Sequence, residues 1–384
     1  MTILHIANSY GGTAVYTNLY TAIDENADVT QWVYVPLNSR NHDRVGNKMI
    51  DFRSGESRIQ YSTLLKPYHK FLYGLKIHTI VRDVVRYFDM TKVDVIHAGT
   101  LCLDGAVAYE LSKKYGIPYI VAVRNTDSRY YRLWWRRSYF THILEKASKI
   151  VFISPMFKKV FLQNYLHKQQ KVEIDNSVIV LPNGVDKFFL KNKSNEHKVF
   201  KGEFKLIFIA AFFKRKGLLE TIEAIEMLRN KGYKITLTAI GKGLPNRPYD
   251  KEYISQIEHL VSDKDYFTLK SFMPPAELIP EMRKAHGFIM PSSGETFGLV
   301  YVEALSQHLP IIYGQNEGFD TFYPEGYVGY HAQAGNVNSI AEKIESLINN
   351  YPTIAKNVES LNLDNDFEWN NIAKKYITIY NSIK

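Results

Sequence analysis

The chain has 384 residues, of which 45% are hydrophobic and 23% charged, and its formal net charge is +9. These values fit a globular protein of two domains, and no apolar run approaches the roughly 18–20 residues that a membrane-spanning helix needs. The single cysteine, Cys102, excludes an internal disulfide framework. The chain starts without a recognisable signal peptide, so we expect a cytoplasmic protein. The positive charge indicates an anionic partner. Charge alone does not distinguish among nucleic acid, anionic lipid and a phosphorylated substrate.

Predicted strands and helices alternate through the first half of the chain. Short apolar runs predict strands over 2–8, 31–36, 93–97, 117–123, 149–154 and 178–181. Helical spacing predicts helices over 13–23 and 101–115 and from 154 onward. This alternation is typical of a doubly wound parallel sheet, which binds its ligands beyond the carboxyl ends of the strands.

Two kinds of residue follow these predicted strands. Gly11 and Gly12 follow the first strand, where a glycine pair lets the backbone approach a ligand closely, although a plain tight turn has the same pattern. Polar side chains follow two later strands, and these candidate ligands are His97, Arg124, Asn125, Thr126 and Asp127.

Two stretches of the first half combine cations with aromatic side chains. Residues 66–78 predict either a solvated basic face or a surface that touches anionic lipid. Residues 129–137 predict one helix, on which Arg129, Arg132 and Arg136 share a stripe beside Tyr131 and Trp135. That stripe fits a membrane interface, a wall that binds sugar rings and phosphate, or a surface helix with buried aromatics.

The second half restarts the strand–helix pattern after a polar segment, 191–201, which is the best linker candidate. Strands are predicted over 204–211, 233–240 and 267–274, with a helix over 218–231. The cations Lys214, Arg215 and Lys216 follow the first of these strands, where they can neutralise a diphosphate or form a solvated basic turn. Gly241 and Gly243 follow the second strand, in a loop that would pass a nucleotide.

The stretch 286–305 carries the most specific chemistry. It predicts a buried strand over 286–291, a small polar loop over 292–298 and a helix that begins near Phe297. Such a turn aims unpaired N–H groups and the positive end of the helix dipole at one crevice, which favours phosphate. Glu295 lies in the loop, and Glu303 lies one to two turns into the helix, where a carboxylate can accept two hydrogen bonds from a vicinal diol. Two unremarkable glutamates are the plain alternative.

The string Pro-Ser-x-x-Glu-x-Phe-Gly-Leu-Val-x-x-Glu-Ala-Leu, residues 291–305, resembles the signature of the family 4 retaining glycosyltransferases of the GT-B fold. The glycine pair at 11–12, the runs 95–98 and 123–127, Pro182–Asp186 and the segment 366–380 resemble other parts of that family. The resemblance therefore spans residues 2 to about 380.

The resemblance implies an α/β architecture of two Rossmann-like, doubly wound parallel-sheet domains that face a cleft. The first domain would comprise 1–190 and a C-terminal helix, 366–384, that crosses back to it, and the second domain 200–365. The implied activity is transfer of a sugar, with retention of configuration and without metal, from a nucleotide diphosphate sugar that we expect to be UDP-linked. The acceptor would be a glycan or a lipid-linked molecule of bacterial polysaccharide or cell-envelope synthesis.

The resemblance also assigns roles to individual residues. Glu303 would hold the ribose, and Glu295 the hydroxyls of the transferred sugar. Lys216 and Arg215 would take the charge of the leaving diphosphate. The remaining substrate-binding positions are Gly11, Gly12, Asn125, Asp127, Gly241, Thr296, Phe297, Gly298, Leu299 and Val300. Two positions depart from the family pattern: Arg124 stands where a histidine usually contacts the donor sugar, and Ala211 stands at the usual place of an arginine.

No metal and no cofactor beyond the donor substrate are expected. The pairs Asp263/Asp265 and Asp364/Asp366 resemble metal-binding aspartates, but neither follows a central strand, and Asp366 fits a helix cap better. A catalytically silent partner with the same fold is the rival function, and a nucleic-acid binder is suggested by charge alone and is not expected. The basic-aromatic stretch 129–137 also predicts peripheral contact with the inner face of the membrane.

Overall fold

The structure is a computed structural model that describes residues 1–38, 40–131, 133–242 and 250–384. The chain forms two compact units. Unit 1 comprises Met1–Ile153, Lys158–Gly184 and Trp369–Lys384. Unit 2 comprises Ser154–Phe157 and Val185–Glu368. The chain thus leaves unit 1 at Gly184 and returns to it at Trp369, against predicted boundaries at 190 and 366.

Unit 1 is built on a parallel sheet with helices packed against it. In the described part of the chain its strands are β1 (Thr2–Ile6), β2 (Thr30–Pro36), β3 (Arg58–Ser62), β4 (Val95–Ala98), β5 (Tyr119–Val123), β6 (Lys149–Phe152) and β7 (Val178–Val180). They are hydrogen-bonded in the order β3-β2-β1-β4-β5-β6-β7. The helices up to residue 174 are α1 (Ala14–Asn26), α2 (Tyr73–Tyr87), α3 (Ala106–Tyr115), α4 (Asn125–Tyr131), α5 (Arg137–Lys146), α6 (Pro155–Tyr165) and α7 (Lys168–Ile174).

Unit 2 repeats the plan with its own parallel sheet. Its described strands are β8 (Phe204–Ile209), β9 (Ile235–Lys242), β10 (Phe267–Ser271), β11 (Gly287–Met290), β12 (Ile311–Gly314) and β13 (Gly329–Ala332), in the order β10-β9-β8-β11-β12-β13. Its helices are α8 (Lys187–Lys191), α9 (Leu218–Asn230), α10 (Lys251–Val261), α11 (Pro275–Lys284), α12 (Leu299–Ser306), α13 (Val337–Asn349), α14 (Tyr351–Glu359) and α15 (Leu363–Phe367). Two doubly wound parallel sheets confirm the predicted fold class.

The last helix, α16 (Trp369–Ile383), belongs to unit 1 and packs against α1, as predicted for a helix that returns to the first domain. Its first residue, Trp369, also packs closely on the chain at Gly184, where a Cβ atom would lie 2.4 Å from the Trp369 ring. The predicted cap is wrong: Asp366 lies inside α15, which Asn362 caps by accepting from the Asn365 N–H. The helix break at Glu368 separates α15 from α16.

Two further predictions about local structure are wrong. The segment 129–137 is not one helix, because α4 ends at Tyr131, Leu133 is not helical, and a short 3₁₀ turn, Trp134–Arg136, precedes α5. Arg132 and the side chain of Arg129 lie outside the described residues, and Tyr131 is fully buried whereas Trp135 is 58% exposed. Tyr131 and Trp135 therefore do not flank one exposed stripe.

The polar segment 191–201 is not a free linker. The Ser194 N–H donates to the Ser306 carbonyl at 3.0 Å, and the buried Lys198 ammonium donates to carbonyls of Arg283 and Ala285. These contacts hold the segment on unit 2, because a buried ammonium needs acceptors that only the folded unit supplies. Sequence reasoning also missed β3, which lies at the edge of the sheet and in which only Ser62 is buried.

Candidate functional site

The signature stretch folds as a strand, a loop and a helix in unit 2, as its pattern predicts. The buried strand β11 ends at Met290, and α12 begins at Leu299, two residues later than predicted. Gly298 precedes the helix with φ +83°, and a Cβ atom there would lie 2.4 Å from the Tyr301 ring. Glycine is therefore required for both the left-handed backbone and the close approach of Tyr301.

The start of α12 presents a row of backbone donors. Within the described residues, the N–H groups of residues 296–300, which are Thr296, Phe297, Gly298, Leu299 and Val300, donate to no protein acceptor. The Phe297 side chain is buried against Phe319, Phe322 and Phe367, so its backbone is the part that is able to bind a ligand. Unpaired N–H groups at the positive end of a helix form an anion site.

A cationic turn lies against this loop. Lys214–Lys216 forms a 3₁₀ turn, and the Arg215 carbonyl accepts a hydrogen bond from the Ser293 N–H at 2.8 Å. The Lys216 ammonium forms an ion pair with Glu295, and the two side chains are 12% and 19% exposed. The structure therefore brings together Lys216, Arg215 and Glu295, the three residues that the resemblance assigns to the leaving diphosphate and the transferred sugar.

Sequence reasoning did not single out Glu317, which joins the same site. Its carboxylate accepts from the Glu295 N–H at 2.6 Å, and the neighbouring Gly318 N–H donates to the Glu295 carbonyl at 2.9 Å. Burial raises the pKa of Glu317, while Arg215 acts in the opposite direction. A Cβ atom on Gly318 would lie 2.1 Å from the Thr296 backbone. The glycine after Glu317 was the available signal, because only a residue without a side chain fits there.

Glu303 lies on α12 and is partly buried. Burial raises the pKa of its carboxyl to about 7, and the charge of Asp186 adds to the effect. Among the ion pairs of the described residues, none involves the Glu303 carboxylate. It is thus available to accept hydrogen bonds from hydroxyls of a ligand.

Gly241 lies at the end of β9 with φ +126°, and a Cβ atom there would lie 2.1 Å from the Ala210 carbonyl oxygen. This contact explains the glycine by the packing of β9 on β8, and its predicted passage of a nucleotide stays a prediction. Gly243, the second glycine of the predicted loop, lies outside the described residues.

In unit 1, Gly12 of the predicted glycine pair lines a polar pocket of about 290 Å³ at the carboxyl end of β1. Gly11 and Gly12 belong to a 3₁₀ turn, and a Cβ atom on Gly12 would lie 2.9 Å from the Arg44 guanidinium. Arg44 and Lys76 supply positive charge to the pocket. Burial lowers the pKa of Lys76, which its neighbour Asp104 partly offsets.

Arg124 and Asp127 hold the ends of β4 and β5 together. The Arg124 guanidinium donates to Asn183 at 2.9 Å and lies 5.9 Å from the centre of the Tyr16 ring. The buried Asp127 carboxylate accepts from the N–H groups of Leu101, Cys102 and Arg124. Asp127 also lines a pocket of about 380 Å³ with Thr126. Asn125 begins α4 beside them.

His97 is not at the surface of this site. It is 1% exposed, its Nδ1 lies 2.8 Å from the Tyr380 hydroxyl, and burial lowers its pKa to about 3, with Arg124 acting in the same direction. Its place among the candidate ligands is wrong, because the ring packs in the core beneath α16.

Sequence reasoning missed the carboxylate that underlies the unit 1 pocket. Asp104 is fully buried and accepts from the backbone and side-chain amides of Asn8 and from the Thr100 hydroxyl. Burial raises its pKa to about 7 despite these hydrogen bonds, which lower it. Asp104 therefore fixes the orientation of Asn8, which lines both unit 1 pockets.

The described residues hold no group of three or more histidine, cysteine, aspartate or glutamate side chains placed to bind a metal ion. None of the helices in the described ranges combines the length and the apolar character that crossing a bilayer demands.

Comparison with known proteins agrees with this geometry. The family model of the glycosyl transferases group 1 matches residues 190–361, and that of glycosyltransferase family 4 matches residues 26–187. An uncharacterized glycosyltransferase of Methanocaldococcus jannaschii is 27% identical over 288 residues, which cover 74% of this chain and 73% of that protein. The capsular polysaccharide biosynthesis glycosyltransferase CapM of Staphylococcus aureus is 28% identical over 208 residues, 53% of each chain.

Among solved structures, HepE of Anabaena, crystallised with UDP and glucose, superposes with a TM-score of 0.65 at 15% identity and covers 100% of both chains. The likeness at this identity shows the fold. The two family models together span residues 26 to 361 with little interruption. The chain belongs to the group 1 glycosyltransferases with the GT-B fold, and it is a sugar-transferring enzyme.

Proposed function

We propose that this enzyme transfers a sugar from a nucleotide diphosphate sugar, UDP-linked, to a glycan or lipid-linked acceptor of bacterial polysaccharide or cell-envelope synthesis, with retention and without metal. The observation that carries the proposal is the row of unpaired N–H groups at residues 296–300 beside Lys216. This row and the Lys216 ammonium suit a diphosphate, because both stabilise negative charge without a metal ion.

The donor site would lie on unit 2. Glu303 would accept hydrogen bonds from the two hydroxyls of the ribose, and Arg215 would add charge to the phosphate site. Glu295 would hold the transferred sugar, and its ion pair with Lys216 fixes its position before the donor arrives. The solved HepE complex with UDP and glucose supports the choice of UDP.

The acceptor site would lie on unit 1, where Gly12 and Asp127 line pockets and Gly11 and Asn125 are close to them in the chain. The relative CapM, named for capsular polysaccharide biosynthesis, supports a glycan or cell-envelope acceptor. Arg124 would replace the usual histidine as a fixed cation. Peripheral contact with the inner face of the membrane would involve the exposed Trp134 and Trp135 of the 129–137 stretch.

The proposed chemistry balances without a protein base. The acceptor hydroxyl oxygen forms the new bond to the anomeric carbon, and the bond from that carbon to the diphosphate breaks. The proton of the acceptor passes to the leaving diphosphate, which departs as the nucleoside diphosphate. Lys216, Arg215 and the N–H groups of residues 296–300 stabilise the charge that develops on that leaving group.

The proposal is tested by measuring the binding of UDP-, GDP- and ADP-linked sugars by calorimetry in EDTA. The wild type is compared with Glu303→Ala, and Glu342→Ala, at an exposed glutamate, is the control variant. We expect selective binding of the UDP-linked sugars, lost in Glu303→Ala and kept in the control. Failure of the wild type to bind any nucleotide sugar would contradict the donor site. Binding without transfer to any tested acceptor would favour a catalytically silent partner.

A further inference from the structure

A third concave site lies in unit 1, apart from the two pockets that Asn8 lines, and is not used by the proposed reaction. It is a groove of about 960 Å³ between α2, α3 and the residues that follow Trp134. This volume is at the upper end of the roughly 300–1,000 Å³ of small-molecule sites. The groove therefore has room for a ligand of its own.

The floor of the groove is apolar. Ile77, Val81 and Val85 recur at helical spacing along α2, and the Tyr73 and Tyr139 rings close one end. Val81 and Val85 remain partly exposed. An apolar stripe that a core helix leaves exposed along a groove is the kind of surface that a ligand or partner covers.

The rim of the groove is cationic. Arg82 and Arg86 extend from α2, Lys113 and Lys114 from α3, and all four are exposed. A further cation at the rim is Arg136, whose guanidinium lies 4.5 Å from the centre of the Tyr73 ring. Among the described residues, the single acidic side chain that lines the groove is Glu110, which accepts a hydrogen bond from the Tyr139 hydroxyl at 3.3 Å. The balance of charge along the rim is strongly positive.

Large apolar side chains surround one end of the groove and point to solvent. Phe71 is 77% exposed, Leu72 is 52% exposed and Leu75 is 44% exposed, just before and within the first turn of α2. Trp134 and Trp135, 74% and 58% exposed, lie on the turn that joins α4 to α5. Arg136 on that turn contacts Tyr73, so the two apolar sets belong to the same end of the groove.

We propose that this groove binds an anionic membrane phospholipid, with an acyl chain along Ile77, Val81 and Val85 and the phosphate on the cations of the rim. The apolar floor fits a hydrocarbon chain and offers no polar partners to the bases of a nucleic acid. The cationic rim favours a lipid with an anionic head group over a neutral lipid. Exposed tryptophan and phenylalanine at one end suit insertion at the bilayer interface. Charge complementarity selects an anionic lipid, because basic side chains near an anionic bilayer each add to the attraction. The inference does not depend on the identity of the sugar donor.

The test is sedimentation of the full chain with vesicles of phosphatidylcholine alone or mixed with phosphatidylglycerol. Val81→Trp fills the groove without changing charge, and Val199→Trp, at a 57% exposed valine of unit 2, is its matched control. We expect binding to the mixed vesicles at least about tenfold tighter than to phosphatidylcholine. Val81→Trp should weaken it about fivefold, and Val199→Trp should leave it unchanged.

The double substitution Arg82→Glu/Arg86→Glu keeps the proposal falsifiable if Val81→Trp does not fold, because both arginines are exposed. It should reduce binding to the phosphatidylglycerol vesicles about tenfold or more while calorimetric UDP binding stays at the wild-type value. Equal binding to both vesicles, or Val81→Trp binding like wild type, would overturn the inference. Competition by a polyprenyl phosphate but not by a short-chain phosphatidylglycerol would replace the phospholipid with a lipid-linked acceptor.

Discussion

Replacing Glu303 by glutamine should stabilise the folded protein and weaken donor binding at the same time. Burial raises the pKa of this carboxyl from its ordinary 4.5 to about 7. The folded state therefore holds the proton more tightly than the unfolded state. The stability that this proton contributes is fully present below pH 4.5 and is lost as the pH rises through 7.

The difference between the two pKa values corresponds to a cost of roughly 3 kcal/mol for the ionised, partly buried carboxylate above pH 7. Glutamine has nearly the same shape and no charge. Glu303→Gln should therefore raise the free energy of unfolding by about 3 kcal/mol at pH 8 and by less than about 1 kcal/mol at pH 4.5. Urea unfolding followed by circular dichroism at the two pH values measures the difference.

The exposed Glu342, 70% exposed on α13, supplies the matched control. Glu342→Gln removes the same charge from the same unit and should change the free energy of unfolding by less than about 0.5 kcal/mol at either pH. A Glu303→Gln protein no more stable than wild type at pH 8, or equally stabilised at both pH values, would refute the assigned cost of burying this charge.

The same substitution should weaken donor binding. In the proposed donor site the ionised Glu303 carboxylate accepts both ribose hydroxyls, so the affinity of the wild type for UDP should increase between pH 6 and 8 as the carboxyl loses its proton. Glu303→Gln should bind UDP at least about tenfold more weakly at pH 8 and show little change with pH. UDP binding by this variant equal to that of wild type would exclude a role for Glu303 in the donor site.

Two other substitutions probe the same unit. Lys216→Met should weaken UDP binding about tenfold or more, because it removes the cation that we propose binds the diphosphate and releases Glu295 from its ion pair. Binding of uridine, which lacks phosphate, should not change, and equal losses for both ligands, measured by calorimetry, would contradict a phosphate contact. Gly318→Ala should cost more than about 2 kcal/mol in the free energy of unfolding, because its Cβ would lie 2.1 Å from the Thr296 backbone. Gly55→Ala, where nothing lies within 4 Å, is the control, and equal stability of the two alanine variants in urea would show that the loops separate without cost.

The strand–loop–helix of the signature was predictable because its determinants are local. A short apolar run, a small polar loop and helical spacing lie within twenty consecutive residues, and they dictate which N–H groups a helix start leaves unpaired. The alternation of apolar and helical patterns likewise predicted both parallel sheets, since central strands are buried on both faces. Glu303 was found for the same reason, as its place on α12 follows from spacing alone.

The sequence by itself thus determined the fold class, the family and the residues around the helix start, whereas only the tertiary structure decided which distant side chains meet there. The partnership of Glu317 with Glu295 joins loops 22 residues apart, and that of Lys216 with Glu295 joins loops 79 apart. No local pattern specifies such pairs, because they depend on the order in which parallel strands lie side by side. The apolar groove along α2 also depends on tertiary structure. Helical spacing places Ile77, Val81 and Val85 on one stripe of α2, but only the packing of α3 and α5 beside it decides that part of the stripe stays exposed.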